Sequence, residues 1–291
     1  MIVETSALTK RYAAHAALDG VDLAVPAGSV YGLVGPNGAG KTTLLGILAG
    51  LRRPTSGSVR LEVARDRVAT LPDTPQFDPW LTGREVVSLA ARLAPSTPAG
   101  KVDEVLAEAG LAEASDRRAG GYSRGMLQRL GLAATMVGEP SLLLLDEPAS
   151  ALDPAGRREV LDLIARLRGR ATVVFSSHIL ADVQEACDRI GILRDGRLLF
   201  QGSLDQLLVG RATPSVELRL RSGGDQAAAL LRRQDWVTSV RPAGAALIVG
   251  VRTMDEAEAR MAGVLAESSA RVISVGPREA ELEDVFLELT S

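Results

Sequence analysis

Three observations predict an α/β protein built on a mainly parallel sheet. Short unbroken apolar runs at 30–35 (VYGLVG), 141–148 (SLLLLDEP) and 171–178 (ATVVFSSH) read as central strands buried on both faces. Between about 83 and 138 the apolar residues recur every three or four positions, in REVVSLAARL, KVDEVLAEAGL and GMLQRLGLAATMV, which is helical spacing. The run at 30–35 passes through a glycine-rich turn directly into a helix expected from Lys41 to about Leu51.

The remaining elements follow in order. Residues 2–8 and 20–26 read as strands, the second closing on the PAGS turn at 26–29. After RRPTSGS, the alternation in VRLEV (59–63) suggests an exposed edge strand, and RVATLP (67–72) a buried one. A helix over 179–188 carries the single cysteine, Cys187, which reads as a buried structural residue. Near 202–215 the organisation changes. From 216 the order strand, helix, strand, strand, helix, strand resembles a ferredoxin-like βαββαβ unit, followed by a last helix in AELEDVFLEL (280–289). The expected domains are therefore 1–210 and 211–291.

With 291 residues, 46% of them hydrophobic, the chain can bury a sizeable core and is not a disordered protein. A net charge of -3 argues against a nucleic-acid-binding surface. One cysteine allows no internal disulfide and suits a reducing cytoplasm. The start, MIVETSALTKRY, has no signal-peptide core, and no window approaches the ~18 apolar residues of a spanning helix. Lysine occurs only at positions 10, 41 and 101, which singles out Lys41 beside the glycine turn.

GPNGAGKTT (35–43) matches G-x-x-x-x-G-K-[ST] between a buried strand and a helix, the context that phosphate binding requires. Gly35, Gly38 and Gly40, with Pro36, Asn37 and Ala39 between them, let backbone N–H groups converge on an anion at a helix N-terminus. Lys41 supplies a point charge to the β and γ phosphates, the Thr42 hydroxyl is placed to ligate Mg²⁺, and Thr43 completes the cradle. ATP and Mg²⁺ are the expected cofactors. The end of the run at 141–148 offers Asp146 for the metal and Glu147 as general base toward an attacking water, with strand alternation expected to turn the two acids apart.

The spacing of this loop with YSRGM (122–126), LLLLDEPASALDP (142–154) and FSSH (175–178) resembles the ATP-binding cassette (ABC) transporter ATPases over residues 2–210. YSRGM is similar to the signature of ATPase subunits in multidrug, antibiotic and sodium export systems, and LEDVFLEL resembles the end of their extra domain. The resemblance implies a P-loop NTPase fold with a helical signature subdomain, an antiparallel β part and the small C-terminal α+β domain. It implies that Tyr12 stacks on the adenine, although a tyrosine at a strand end can simply pack. Ser123 and Gly125 match residues that contact a γ phosphate held by the opposite subunit, Asp153 the loop at the dimer seam, and His178 the switch histidine. His15, in an alanine-rich loop, receives no role.

Two departures from the family pattern stand out. At the loop that normally carries a metal-contacting glutamine the aligned residue is Asp73, with Gln76 three positions later, and related exporters carrying an acid there favour Asp73. In the signature, Arg124 replaces a glycine and Met126 the final glutamine.

The resemblance implies an ATP-hydrolysing transporter subunit, homodimeric, peripheral on the cytoplasmic side of the membrane and bound to separate permease subunits, powering export of a small molecule, drug or ion. Phe77 and Trp80 in the proline-containing loop at 73–84 are candidate anchors for the permease, or pack on the helical subdomain. The C-terminal domain serves as a dimer contact or a regulatory module. A soluble ABC ATPase acting on ribosomes or DNA is the alternative; such proteins carry two cassettes or long coiled coils, and neither is present here. A P-loop kinase leaves YSRGM and SALDP without a purpose.

Overall fold

Runs with no polar face form the middle of a parallel sheet. The structure is a computed structural model that describes residues 1–13, 15–150, 152–208, 214–244 and 246–278. It begins with β1 (Val3–Tyr12), β2 (His15–Val21), β3 (Ala24–Val25), β4 (Val30–Val34), α1 (Lys41–Leu48), β5 (Ser56–Leu61) and β6 (Val68–Leu71). Three helices follow, α2 (Gly83–Leu93), α3 (Lys101–Glu108) and α4 (Arg124–Met136). Then come β7 (Leu142–Leu145), α5 (Pro154–Ala165), β8 (Thr172–Ser177), α6 (Leu180–Ala186), β9 (Arg189–Arg194) and β10 (Arg197–Ser203).

The main sheet has the order β10-β9-β4-β8-β7-β6, parallel throughout except for the antiparallel edge strand β10. Every residue of β4, β7 and β8 is buried, as expected for strands covered on both faces. These three are neighbours and end at Val34, Leu145 and Ser177, so the glycine loop, the two acids and His178 leave the sheet side by side at its carboxyl edge.

A second, antiparallel sheet places β1 between β2 and β3, with β5 also pairing to β1. Here the strand expected at 20–26 is replaced by β2 over His15–Val21 and the two-residue β3. Alanine, as at 16 and 17, has little β preference, but Tyr12 pairs with His15 next to Ala13, which takes φ +50°, and the ladder to β1 holds His15–Val21 extended. Leu8, Leu18, Leu44, Leu48, Leu144 and Val174 join both sheets and α1 in one core.

Three helix starts are set by their caps. Thr82 and Glu85 form a reciprocal capping box on α2, Ser123 Oγ accepts from Met126 N at 3.2 Å on α4, and Asp153 accepts from Gly156 N on α5, which has Pro154 in its first turn. The signature serine is therefore satisfied within its own chain as a cap, although the loose glycine-flanked sequence suggests an open end.

The chain divides between Leu204 and Asp205, a few residues ahead of the 210/211 boundary suggested by the sequence. The second unit contains most of α7 (Leu204–Leu208), then β11 (Ser215–Ser222), α8 (Gly224–Leu231), β12 (Val237–Ala243), β13 (Ala246–Val251), α9 (Met254–Glu267) and β14 (Arg271–Arg278). Its antiparallel sheet has the order β12-β13-β11-β14, the ferredoxin-like arrangement, packed on a core around the fully buried Trp236. The helix expected at 280–289 lies outside the described residues.

Candidate functional site

The loop from Gly35 to Gly40 is shaped by contacts that exclude any side chain at its ends. A β-carbon on Gly35 would strike the Leu193 carbonyl oxygen, and one on Gly40, which has φ +107°, would strike that of Ala17. Lys41 opens α1, is only 6% exposed, and donates through Nζ to the carbonyl oxygens of Gly35 at 2.7 Å and Pro36 at 3.2 Å. A cation held this way cannot swing out to solvent. It also lies 3.2 Å from Glu147 Oε1.

Glu147 reaches Lys41 by a backbone turn that strand alternation does not supply. β7 stops at Leu145, and Glu147 adopts the left-handed conformation with φ +47°, which costs a non-glycine residue about 1–3 kcal/mol. The turn is held by Ser176 of β8, whose Oγ accepts from Glu147 N at 2.8 Å and donates to Asp146 Oδ1 at 2.7 Å. One hydroxyl thus separates the two acids and fixes both. On the other side, Glu147 Oε2 lies 2.8 Å from His178 Nδ1. A carboxylate can only accept, so Nδ1 carries the proton and Nε2 is left for another partner.

A cleft of about 420 Å³ is lined by Tyr12, His15, Ala17, residues 37–43, Asp73, Asp146 and Glu147. The structure therefore brings together Tyr12, the phosphate loop, Thr42, Asp73 and both acids. His178 joins through Glu147. Asp73 is fixed by the Ser150 hydroxyl, which donates to its Oδ1 at 2.7 Å, while Gln76 does not line the cleft. Tyr12 keeps 42% of its surface exposed, with its hydroxyl accepting from Arg52 at 2.8 Å and Lys10 Nζ over the ring, 4.9 Å from its centre. Ser123, Gly125 and Asp153 do not line the cleft; they sit at the N-terminal ends of α4 and α5. A larger recess of about 580 Å³, crossed by the Lys101–Glu139 and Arg170–Glu108 ion pairs, opens at the opposite ends of the strands and has no phosphate loop.

Comparison with known proteins bears on the family and the fold. Residues 18–150 match the ABC transporter family. The chain is 34% identical over 294 residues to the daunorubicin resistance ATP-binding protein DrrA3 of Streptomyces coeruleorubidus, covering 97% of this chain and 93% of that protein. It belongs to the ABC transporter ATP-binding proteins. An uncharacterized ABC transporter ATP-binding protein of Bacillus subtilis, YxlF, is 42% identical over 213 residues, covering 71% of this chain and 72% of that one. Among solved structures, an ATP-binding subunit of an ABC transporter superposes with a TM-score of 0.65 at 29% identity, over 71% of this chain and 92% of that one. This ABC subunit binds ATP and hydrolyses it, on a P-loop NTPase fold of mixed α/β content.

Ser176 went unread in the sequence, and His15, given no role there, lines the cleft. His15 is found through its pairing with Tyr12. Ser176 has no local signal, because its partners are 29 and 30 residues away. Ser176→Ala leaves Asp146 Oδ1 and Glu147 N without their partner. It is expected to lower stability by about 1–3 kcal/mol, read as a fall in melting temperature, and to slow turnover with little change in ATP affinity. Turnover equal to wild type would show that the hydroxyl is not needed to hold the two acids.

Proposed function

We propose that two copies of this ABC subunit sandwich two ATP molecules, each site using the phosphate loop of one chain and the signature of the other. The observation that carries this reading is the separation of the parts. Lys41 and Glu147 line one cleft, with His178 joined to it through Glu147, while the capped helix ends at Ser123–Gly125 and Asp153 stand outside it. A helix N-terminus is an anion site that a second chain can bring to the γ phosphate. Residues 35–43 cradle the phosphates, and the exposed Tyr12 ring carries the adenine. Glu147 takes the proton of the attacking water, and His178 Nε2 faces the γ phosphate while Nδ1 holds the base.

The oxygen donors in the cleft, the Thr42 hydroxyl and the carboxylates of Asp146 and Asp73, are the hard ligands that Mg²⁺ takes. Bound there, the ion would neutralise charge on the β and γ phosphates. Asp146 is the residue best fixed to hold it, since Ser176 pins one of its oxygens.

Closure of the dimer drives separate permease subunits at the cytoplasmic face of the membrane. No helix among the described residues is long and apolar enough to cross a membrane. Likeness to a daunorubicin resistance protein supports export of a small molecule. The loop at 73–84 is suited to receive the permease. Trp80 is 63% exposed, and the same loop is hydrogen-bonded to the chain just before the signature, Ala119 N to Leu81 O at 2.7 Å and Gly120 N to Pro79 O at 3.0 Å. These hydrogen bonds join the loop that carries Trp80 to the segment leading into Ser123. Phe77→Ala with Trp80→Ala is expected to release the subunit from membranes while ATP binding persists, checked by membrane sedimentation and nucleotide binding. Unchanged membrane association would exclude the loop as the docking surface. Purification from detergent extract should bring down the permease with the wild-type subunit.

A further inference from the structure

An ion pair between a half-buried arginine and a buried aspartate, Arg157 and Asp182, has no part in the site described above. Arg157 lies one turn into α5, its backbone N–H donating to the Asp153 carbonyl at 2.9 Å, and its Nε donates to Asp182 Oδ1 in α6. Asp182 is 4% exposed, and its Oδ2 accepts from the Ser177 hydroxyl at 2.9 Å. The same Ser177 oxygen accepts from Ile179 N at 3.0 Å, and its one proton is shared between Asp182 Oδ2 and the Ile179 carbonyl at 3.1 Å, so this side chain ties Asp182 to the backbone just after His178. His178 in turn holds Glu147. The connections run without a break from the helix that begins at Asp153 to the carboxylate beside Lys41.

This pair is poorly suited to stability alone. Desolvating Asp182 and the half-buried Arg157 offsets part of their attraction, and Arg157 Nη2 is itself buried with no partner among the described residues. An apolar pair would pack at lower cost. We propose that Arg157 and Asp182 are positioning residues that fix His178, and through it Glu147, relative to the helix carrying Asp153. Movement of that helix at the seam between two chains then sets whether the base is aligned. The seam itself rests on the two-chain reading above; the link from Arg157 to His178 is made within one chain.

The test compares Asp182→Asn, Arg157→Gln and the double variant for kcat, KM for ATP and ATP affinity, in the full chain. A misplaced base is expected to lower kcat roughly 10- to 100-fold in each single variant while KM stays within about twofold. Because both act through one link, the double variant should be no slower than the slower single one. Arg157→Lys, which keeps the charge, should recover part of the loss. Ser177→Ala breaks the same link with a smaller change in packing and should show the same loss in kcat at constant KM, which covers the case of an unfolded Asp182→Asn. Losses that multiply in the double variant, a KM that rises in step, or wild-type kcat in Ser177→Ala would overturn the proposal. ATP-driven dimerisation of Glu147→Gln, measured alongside, reports on the two-chain reading alone. If that fails while the kcat coupling holds, the positioning role stands without the seam.

Discussion

Glu147→Gln is expected to bind ATP and almost cease to turn it over. The amide keeps the size of the carboxylate and can still accept from His178, so the turn at φ +47° and its Ser176 hydrogen bond should survive. What it loses is the capacity to take a proton from water. General base catalysis contributes about 10²–10⁴ in rate, and that is the expected fall in single-turnover hydrolysis. Affinity should hold or rise. The carboxylate lies 3.2 Å from Lys41 Nζ and competes with phosphate for that charge, so neutralising it frees the lysine. Wild-type turnover in this variant would remove Glu147 from the role of base.

Lys41→Ala is expected to fail earlier, at binding. Lys41 is buried and held by two carbonyl oxygens of the glycine loop, so its charge is already oriented before nucleotide arrives. A charge-assisted hydrogen bond of this kind contributes about 1.5–3 kcal/mol, equivalent to roughly 10- to 100-fold in affinity. Turnover should fall by a further ~10²–10³, because the same cation stabilises charge that develops on the phosphates. The variant should keep its fold and lose the rise in melting temperature that ATP gives the wild type, since that rise depends on ligand binding to the native state. Lys41→Arg is not expected to rescue it, because a planar guanidinium does not fit a pocket built around one compact ammonium. A normal ATP-dependent rise in melting temperature in Lys41→Ala would contradict this account of the loop.

The contrast between these two variants shows which parts of the molecule could be read from the chain. The phosphate loop was legible because its chemistry is local. Glycines at 35 and 40 answer to backbone that approaches within contact, and the flanking strand and helix announce themselves by their periods. The βαββαβ unit was legible for the same reason, since strands and helices alternate with different periodicity. Where long-range pairing decides, the chain said less. His15–Val21 is extended because β1 lies beside it, and β9 and β10 form a hairpin at Asp195–Gly196, a dipeptide suited to such a turn. Ser176 looks like one more small residue in a buried strand until folding sets it against Asp146 and Glu147. The positive φ of Glu147 had no signal at all, since no glycine or asparagine marks that position.

Sharing of each site between two chains is the central claim, and Gly125 allows a direct measurement of it. A β-carbon there meets nothing closer than 4.0 Å beyond its chain neighbours and its own helix backbone, so Gly125→Asp is expected to fold normally and act on what approaches from outside. The measurement is sedimentation of Glu147→Gln with and without ATP, alone and combined with Gly125→Asp, with ATP occupancy determined in the same samples. Glu147→Gln should pass from monomer to dimer when ATP is added, and the added aspartate should hold it as a monomer that still binds ATP. A Glu147→Gln chain that binds ATP and stays monomeric, or a dimer indifferent to Gly125→Asp, would contradict the account.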